Sequence, residues 1–303
     1  MKILSINYSQ SGQLDDILSN FLSSIKNCEI DRIKIEAQQS FAFPWKVDGF
    51  YNIMPETVLE EAISLKEIHF KEEKYDLIIL GYQPWFLSPS MPTSSLLQLE
   101  SFKKRVNGTK VMTVIGARNM WLNSQTSVVK HIHDAGGEMI ANLALTDRAP
   151  NQLSAVSIVH WMMTGKKTKK WGVFPLPGIS DEDIKGASFF GAILNESIQK
   201  NDFKDLQKQI IEKKGTKINV NILFIENKAK KIFNIWAKLI KKKEAQGKKR
   251  SFWISFFRYY LNFALFFVAP ILLFLYTLLL RPFLGKKIKR QIKHFLYIGI
   301  ETD

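Results

Sequence analysis

Hydrophobic positions in the first 165 residues alternate between two rhythms. Lys2 to Tyr8 is a strand-like apolar run, and Leu14 to Ile25 follows with Leu14, Ile17, Leu18, Phe21, Leu22 and Ile25 at helical spacing. Cys28 to Ile35 alternates apolar and polar residues, as a strand does. Pro55-Glu56-Thr57 opens a helix, with proline and an acid in its first turn. Asp76 to Gly81 and Lys110 to Gly116 are further apolar strands, with a helix over Ser94 to Val106 between them. A helix over Asn123 to Ala135 stops at Gly136-Gly137, Glu138 to Leu145 reads as the fifth strand, and Gln152 to Thr164 as the next helix.

Strands that alternate with helices and lack polar alternation are covered on both faces. The pattern therefore predicts an α/β fold with a doubly wound, five-stranded parallel sheet. Ligands of such sheets sit beyond the carboxyl ends of the strands, where strand order reverses. Attention falls on the loops after strands one, three and four.

The first loop, Ser9-Gln10-Ser11-Gly12-Gln13-Leu14, holds no cation. A helix N-terminus presents unpaired N–H groups and a partial positive charge, so it binds phosphate without one. Ser9 and Ser11 add hydroxyls, Gly12 permits close backbone approach and Gln13 adds an amide. Ser11 read simply as a helix N-cap is the plainer account, and the loop alone leaves both open. The second loop, Gly81 to Pro92, holds three prolines that stiffen the chain, and within it Pro84-Trp85-Phe86-Leu87 offers the flat surfaces of two aromatic rings. The third, Gly116-Ala117-Arg118-Asn119-Met120-Trp121, moves from small residues to polar donors and a Trp; Arg118 is either a charge stabiliser or a surface residue. Tyr82, directly after strand three, and His160, in the helix over Gln152 to Thr164, are the candidate proton donors or acceptors.

The first loop resembles the flavodoxin-type phosphate loop, with Leu14 where another Thr is usual, and the second is similar to the Pro-Trp-Phe loop of flavodoxin-like quinone reductases. The resemblance implies a flavodoxin-like FMN-binding domain over residues 1–215, in which Ser9, Ser11, Gly12, Gln13 and Leu14 hold the phosphate. It also implies that Pro84 to Leu87 and Gly116 to Asn119 with Trp121 border the ring.

After residue 215 the character changes. From Glu226 onward there are 17 Lys and Arg against 4 acids, a net +13 out of the chain's +15. In Asn227 to Lys243, Ile232, Phe233, Ile235, Trp236 and Leu239 interleave with lysines, the composition of an interfacial basic helix. Tyr259 to Leu280 then runs 22 residues without a charge. As a helix this run is about 33 Å long, against a bilayer core of about 30 Å. Basic clusters flank it on both sides, which favours a re-entrant wedge bent at Pro270 over a single span. Residues 216–303 thus read as a basic, hydrophobic helical region that binds an anionic membrane surface, and nucleic acid is set aside as a partner.

The single cysteine, Cys28, offers no disulfide framework, and no secretory signal is recognisable at the start. The expected location is the cytoplasmic face of the inner membrane. No metal site is expected, since His131 and His133 diverge on a helix. Gly165-Lys166-Lys167-Thr168 lacks the first glycine of a nucleotide-binding loop and closes a helix instead of opening one.

Taken whole, the chain resembles the bacterial dialkylresorcinol condensing enzymes, an implication carried by the SQSGQL loop and the basic-hydrophobic tail. That resemblance implies an aromatase: FMN-dependent oxidation of a lipophilic 2,5-dialkylcyclohexane-1,3-dione to a dialkylresorcinol of flexirubin-type lipids, beside a ketosynthase partner. An NAD(P)H-dependent quinone reductase and a membrane-docked electron carrier remain alternatives, and a homodimer stays open.

Overall fold

The structure, a computed structural model, describes residues 1–300. Five parallel strands form the central sheet: β1 (Lys2–Asn7), β2 (Glu29–Lys34), β3 (Leu77–Tyr82), β4 (Lys110–Ala117) and β5 (Glu138–Thr146). Their order is β2-β1-β3-β4-β5. This is the flavodoxin-like variant of the doubly wound sheet, whose order reverses between β1 and β3.

The inner strands are apolar throughout because each face has its own core. On one face Ile3, Leu77, Ile79, Met112 and Val114 pack under α1 (Gln13–Leu22) and α8 (Asp181–Lys200). These helices approach so closely that a Cβ at Gly191 would sit 1.9 Å from the Phe21 carbonyl oxygen. On the other face Leu4, Ile6, Ile78, Leu80 and Tyr82 meet α4 (Met91–Gln98), α5 (Glu100–Val106) and α6 (Leu122–Asp134). Leu99 is extended between α4 and α5, so the helix expected over Ser94 to Val106 is two short ones.

The region after residue 215 packs onto this body. Helix α10 (Val220–Ala245) places Leu223 in the second core and Phe233, Ala237 and Ile240 over Tyr51, Met54 and Val58, in the short helices α2 (Val47–Asn52) and α3 (Met54–Val58). The amphipathic pattern expected to face lipid is thus spent largely on protein; the same stripe serves either neighbour.

Next comes α11, Arg250–Phe283, 34 residues long. It is long and apolar enough to cross a membrane, and 11% of its most apolar window is buried. Arg250 anchors its start, donating to both carboxylate oxygens of Glu56 at 2.9 and 2.7 Å and to Asn52 Oδ1 at 2.8 Å. Such a two-pronged guanidinium–carboxylate bond fixes direction as well as energy. Beyond it, α12 (Gly285–Leu296) returns Phe295, with Ile298 just after it, to the second core, and the Leu296 carbonyl accepts from Gln207 of α9 (Leu206–Glu212) at 2.6 Å. Helix α11 meets the body at its start through Arg250 and again at Tyr276, which stacks on Phe224 of α10, so the helix runs alongside α10.

Pro270 does not turn the chain back, contrary to the wedge expected at that residue. Wide π-type turns over Ala264–Val268 and Tyr276–Leu280 keep α11 continuous. The first lies over Phe266, four residues before the proline, where its ring would crowd a regular α-turn.

A buried carboxyl ties α10 to α6. Glu226 is fully buried; its Oε1 accepts from the Asn123 N–H at 2.8 Å, capping α6 from outside, and its Oε2 has no partner. One turn on, Lys230 Nζ donates to Ser88 Oγ at 2.7 Å and faces Glu60 as well as Glu226. Burial pushes the Glu226 carboxyl up to about 7, against hydrogen bonds from Asn123 and the pull of Lys230.

An acid whose folded pKa lies above its unfolded value keeps a proton that the unfolded chain has released. Stability therefore falls as pH rises from about 4.5 to about 7, by about 3 kcal/mol once the carboxyl is ionised. Glu226→Gln is expected to melt above the native protein at pH 8 and level with it near pH 5. A difference independent of pH would show that folding does not raise the Glu226 pKa.

Candidate functional site

Beyond the carboxyl ends of β1, β3 and β4 lies a cavity of about 580 Å³. Ser11 and Leu14 border it from the first loop, Pro84 to Leu87 from the second, and Gly116 to Arg118 from the third. The sheet brings these together because the order reverses there, leaving a crevice between helices on opposite faces.

The first loop starts α1 from Gly12, which holds the N-cap position in the left-handed conformation (φ 85°, ψ −19°). Ser11 is thus not the cap. No side chain caps α1, so the N–H groups of its first turn face outward unclaimed. The Ser9 hydroxyl is buried without a partner. Asp15 and Asp16 add negative charge to the same turn, and Lys34 Nζ, 3.0 Å from Asp15 Oδ2, offsets one of them. Gln13 departs from its expected role as an anion donor. Its amide accepts from the Ile179 N–H at 3.0 Å and donates to the Ile179 carbonyl at 3.1 Å, pinning the start of α8 over the cavity.

In the second loop Pro84–Trp85 pairs with Ser88–Pro89 as a minimal hairpin, with Phe86 and Leu87 at its tip. Both tip residues have positive φ, 46° and 65°. Such turns normally call for Asn or Gly, so two large side chains here hold a strained backbone in place. Lys230 braces the hairpin from α10. Trp85 sits edge-on to Phe41, Trp45 and Tyr8 at centroid distances of 5.1, 5.7 and 5.8 Å, and Phe86 tilts over Phe50 at 4.8 Å. The cavity wall is therefore part of an aromatic cluster that the sequence reading did not assemble, since residues 41–50 lie far away along the chain.

The third loop divides. Gly116, Ala117, Arg118 and Met120 line the cavity. Trp121 instead lies 2% exposed in the second core. Asn119 donates to Asn151 Oδ1 at 2.7 Å, beside a separate polar cavity of about 380 Å³. Neither borders the large cavity, because α6 begins immediately and turns them toward β5. Arg118 Nη1 donates to the Asn151 carbonyl at 2.9 Å, leaving its other donors for a ligand. Burial pushes its guanidinium down to about 10, opposed by Asp147, and it stays charged at neutral pH.

No protein-family model matches this chain, and no curated protein matches it. Among solved structures it is similar to a Lactobacillus acidophilus flavoprotein in complex with FMN, at 19% identity over 46% of this chain and 91% of that one (TM-score 0.37). Bacillus cereus oxidised flavodoxin 1 is similar at 16% identity, over 63% and 95% (TM-score 0.32). A Bacillus anthracis azoreductase is similar at 10%, over 63% and 99% (TM-score 0.34). At such values the strand order remains the stronger statement of fold.

Neither proposed proton-transfer residue reaches the cavity. Tyr82 is fully buried beneath α6, its hydroxyl donating to Gln125 Oε1 at 2.7 Å, and burial pushes its pKa well up. Its place at the end of a fully buried strand turns it into the second core. His160 lies on the outer side of α7 (Asn151–Thr164), its Nε2 3.4 Å from Thr168 Oγ1. Its neighbours Val159 and Trp161 line the cavity, and one residue's rotation on the helix turns the imidazole away.

The remaining wall comes from the C-terminal region. Phe224, Ile232 and Phe233 of α10 and Tyr260, Leu265 and Leu272 of α11 close the cavity opposite the loops. Tyr276 of α11 stacks on Phe224 at 4.0 Å and fixes the two helices to each other. The lining thus joins a polar end at the first and third loops to an apolar end at α10 and α11.

Proposed function

We propose that this protein is a membrane-associated, FMN-dependent oxidoreductase that converts a 2,5-dialkylcyclohexane-1,3-dione to the dialkylresorcinol. The observation carrying this reading is that one cavity joins an anion-suited loop to walls supplied by the long apolar helix α11. The first-turn N–H groups of α1, the orphaned Ser9 hydroxyl and Ser11 would hold the phosphate, with Gly12 leaving open space around its Cα. Pro84 to Leu87 and Gly116 to Arg118 would border the ring. Bound FMN supplies the two-electron acceptor that this oxidation requires.

The substrate loses a proton beside a carbonyl and a hydride from the adjacent ring carbon, and tautomerisation completes the aromatic ring. Arg118 is placed to hold the negative charge that develops on the carbonyl oxygen. The apolar half of the cavity suits alkyl chains and excludes water. Helix α11 would lie in one leaflet, parallel to the surface, since Arg250 at its start and Tyr276 towards its end are both held by the same body. An electron carrier, by contrast, works with an exposed ring edge, which α10 and α11 would cover here.

The purified protein is expected to show flavin absorbance, and anaerobic addition of a dialkylcyclohexanedione should bleach it. Bleaching by NADPH and not by the dione would make the protein a quinone reductase. A protein that neither carries nor takes up FMN would remove both readings.

A further inference from the structure

Between α7 and α8 runs a loop of unusual exposure, Gly165-Lys166-Lys167-Thr168-Lys169-Lys170-Trp171-Gly172-Val173-Phe174-Pro175-Leu176. Trp171 is 78% exposed, Val173 80% and Leu176 52%. Side chains of this size ordinarily find cover, and an exposed apolar cluster rimmed by polar residues marks an interaction surface. Trp171 is held outward by a left-handed backbone (φ 52°, ψ 21°), unusual for a bulky residue. Lys170 lies over its ring at 4.6 Å, and Phe174 meets it edge-on at 5.8 Å. Of the four lysines only Lys167 is ion-paired among the described residues, to Asp181 at 2.8 Å.

The position of this loop identifies its occupant. Lys170 lines the large cavity, as do Phe266 and Leu272 of α11 and Val159 of α7, all three exposed at their outer sides. Loop and helix thus flank one opening, both carry exposed apolar side chains, and the loop interleaves its own with lysines. Trp with Lys is the composition of a membrane–water boundary, where the ring enters the acyl edge and ammonium groups meet anionic headgroups. A protein partner would match the apolar side chains but not their continuity with a lipid-sized helix.

We infer that residues 166–176 are a second membrane-docking element. Trp171, Val173 and Leu176 insert into the leaflet that α11 occupies, and Lys166, Lys169 and Lys170 contact anionic phospholipid, so that the cavity opens into the leaflet. The inference rests on the membrane reading of α11 for its orientation.

The test places an environment-sensitive fluorophore at this position in the full-length protein, as Trp171→Cys in a Cys28→Ser background. Vesicles of phosphatidylglycerol and phosphatidylethanolamine are then added. Blue-shifted emission, quenched by spin-labelled lipid and about tenfold weaker in affinity on pure phosphatidylcholine, supports the inference. Protein that floats with the vesicles while the probe stays in water overturns it and leaves the α11 reading standing. Protein that does not float overturns both. A probe already shielded before vesicles are added overturns it in favour of contact between copies of the chain. As an independent measure, Trp171→Glu with Val173→Glu should weaken vesicle binding about 10- to 100-fold with unchanged thermal melting.

Discussion

A Gly12→Val protein is expected to purify without flavin colour, its affinity for FMN down about 100-fold or more. The reason is conformational. Gly12 holds φ at 85° as the N-cap of α1, and a β-branched residue reaches that region only at a cost of about 1–2 kcal/mol or more. A Cβ there meets nothing within 4 Å, so the substitution breaks no packing. It acts by moving the first-turn N–H groups out of register and by placing methyl groups where a phosphate would sit. Losing two charge-assisted hydrogen bonds amounts to about 3 kcal/mol, which is about 100-fold. Thermal melting should fall by only a few degrees. Gly12→Asn, which tolerates the left-handed region, should keep more flavin than Gly12→Val. Absorbance per protein is the readout, and a fully yellow Gly12→Val protein would mean that this loop does not cradle the cofactor.

The second large effect is expected at Arg118. Arg118→Met should lower turnover of the dione by about 10²–10³-fold, the usual consequence of deleting one preorganised stabiliser of developing negative charge. Flavin content should fall far less than in Gly12→Val, since Arg118 would border the ring and not the phosphate. Arg118→Lys keeps the charge but loses the planar fork that also holds the Asn151 carbonyl, so it should recover only part of the loss. A rise in KM alone would assign Arg118 to uniform substrate binding. Turnover within about threefold of native would remove it from the mechanism.

The α/β alternation was legible because each inner strand is buried on both faces and therefore apolar without a break, as in Leu77-Ile78-Ile79-Leu80. From that, the sheet and its ligand-bearing edge follow, along with the loops at Ser9–Gly12 and Pro84–Leu87 and the length of the apolar tail. The individual roles of Gln13, Trp121, Tyr82 and His160 were not legible. Each is a residue type suited to a site, but Gln13 and Tyr82 are engaged by partners distant in sequence, Ile179 and Gln125, and helix geometry turns Trp121 and His160 away. The exposed loop at Trp171 escaped notice because its lysines read as an ordinary solvated helix end.

Sequence by itself determined the classes of element and their order, since hydrophobic period and helix-capping chemistry act over a few residues. Only the tertiary structure decided that α10 spends its apolar stripe on α2 and α3, that α11 passes Pro270 as one helix, and that the membrane-like tail forms a wall of the cavity. An amphipathic or apolar stripe specifies that it must be covered, not by what. The choice among sheet, neighbouring helix and lipid is made by contacts such as Arg250 on Glu56 and Tyr276 on Phe224, which join residues from opposite ends of the chain or of its C-terminal region.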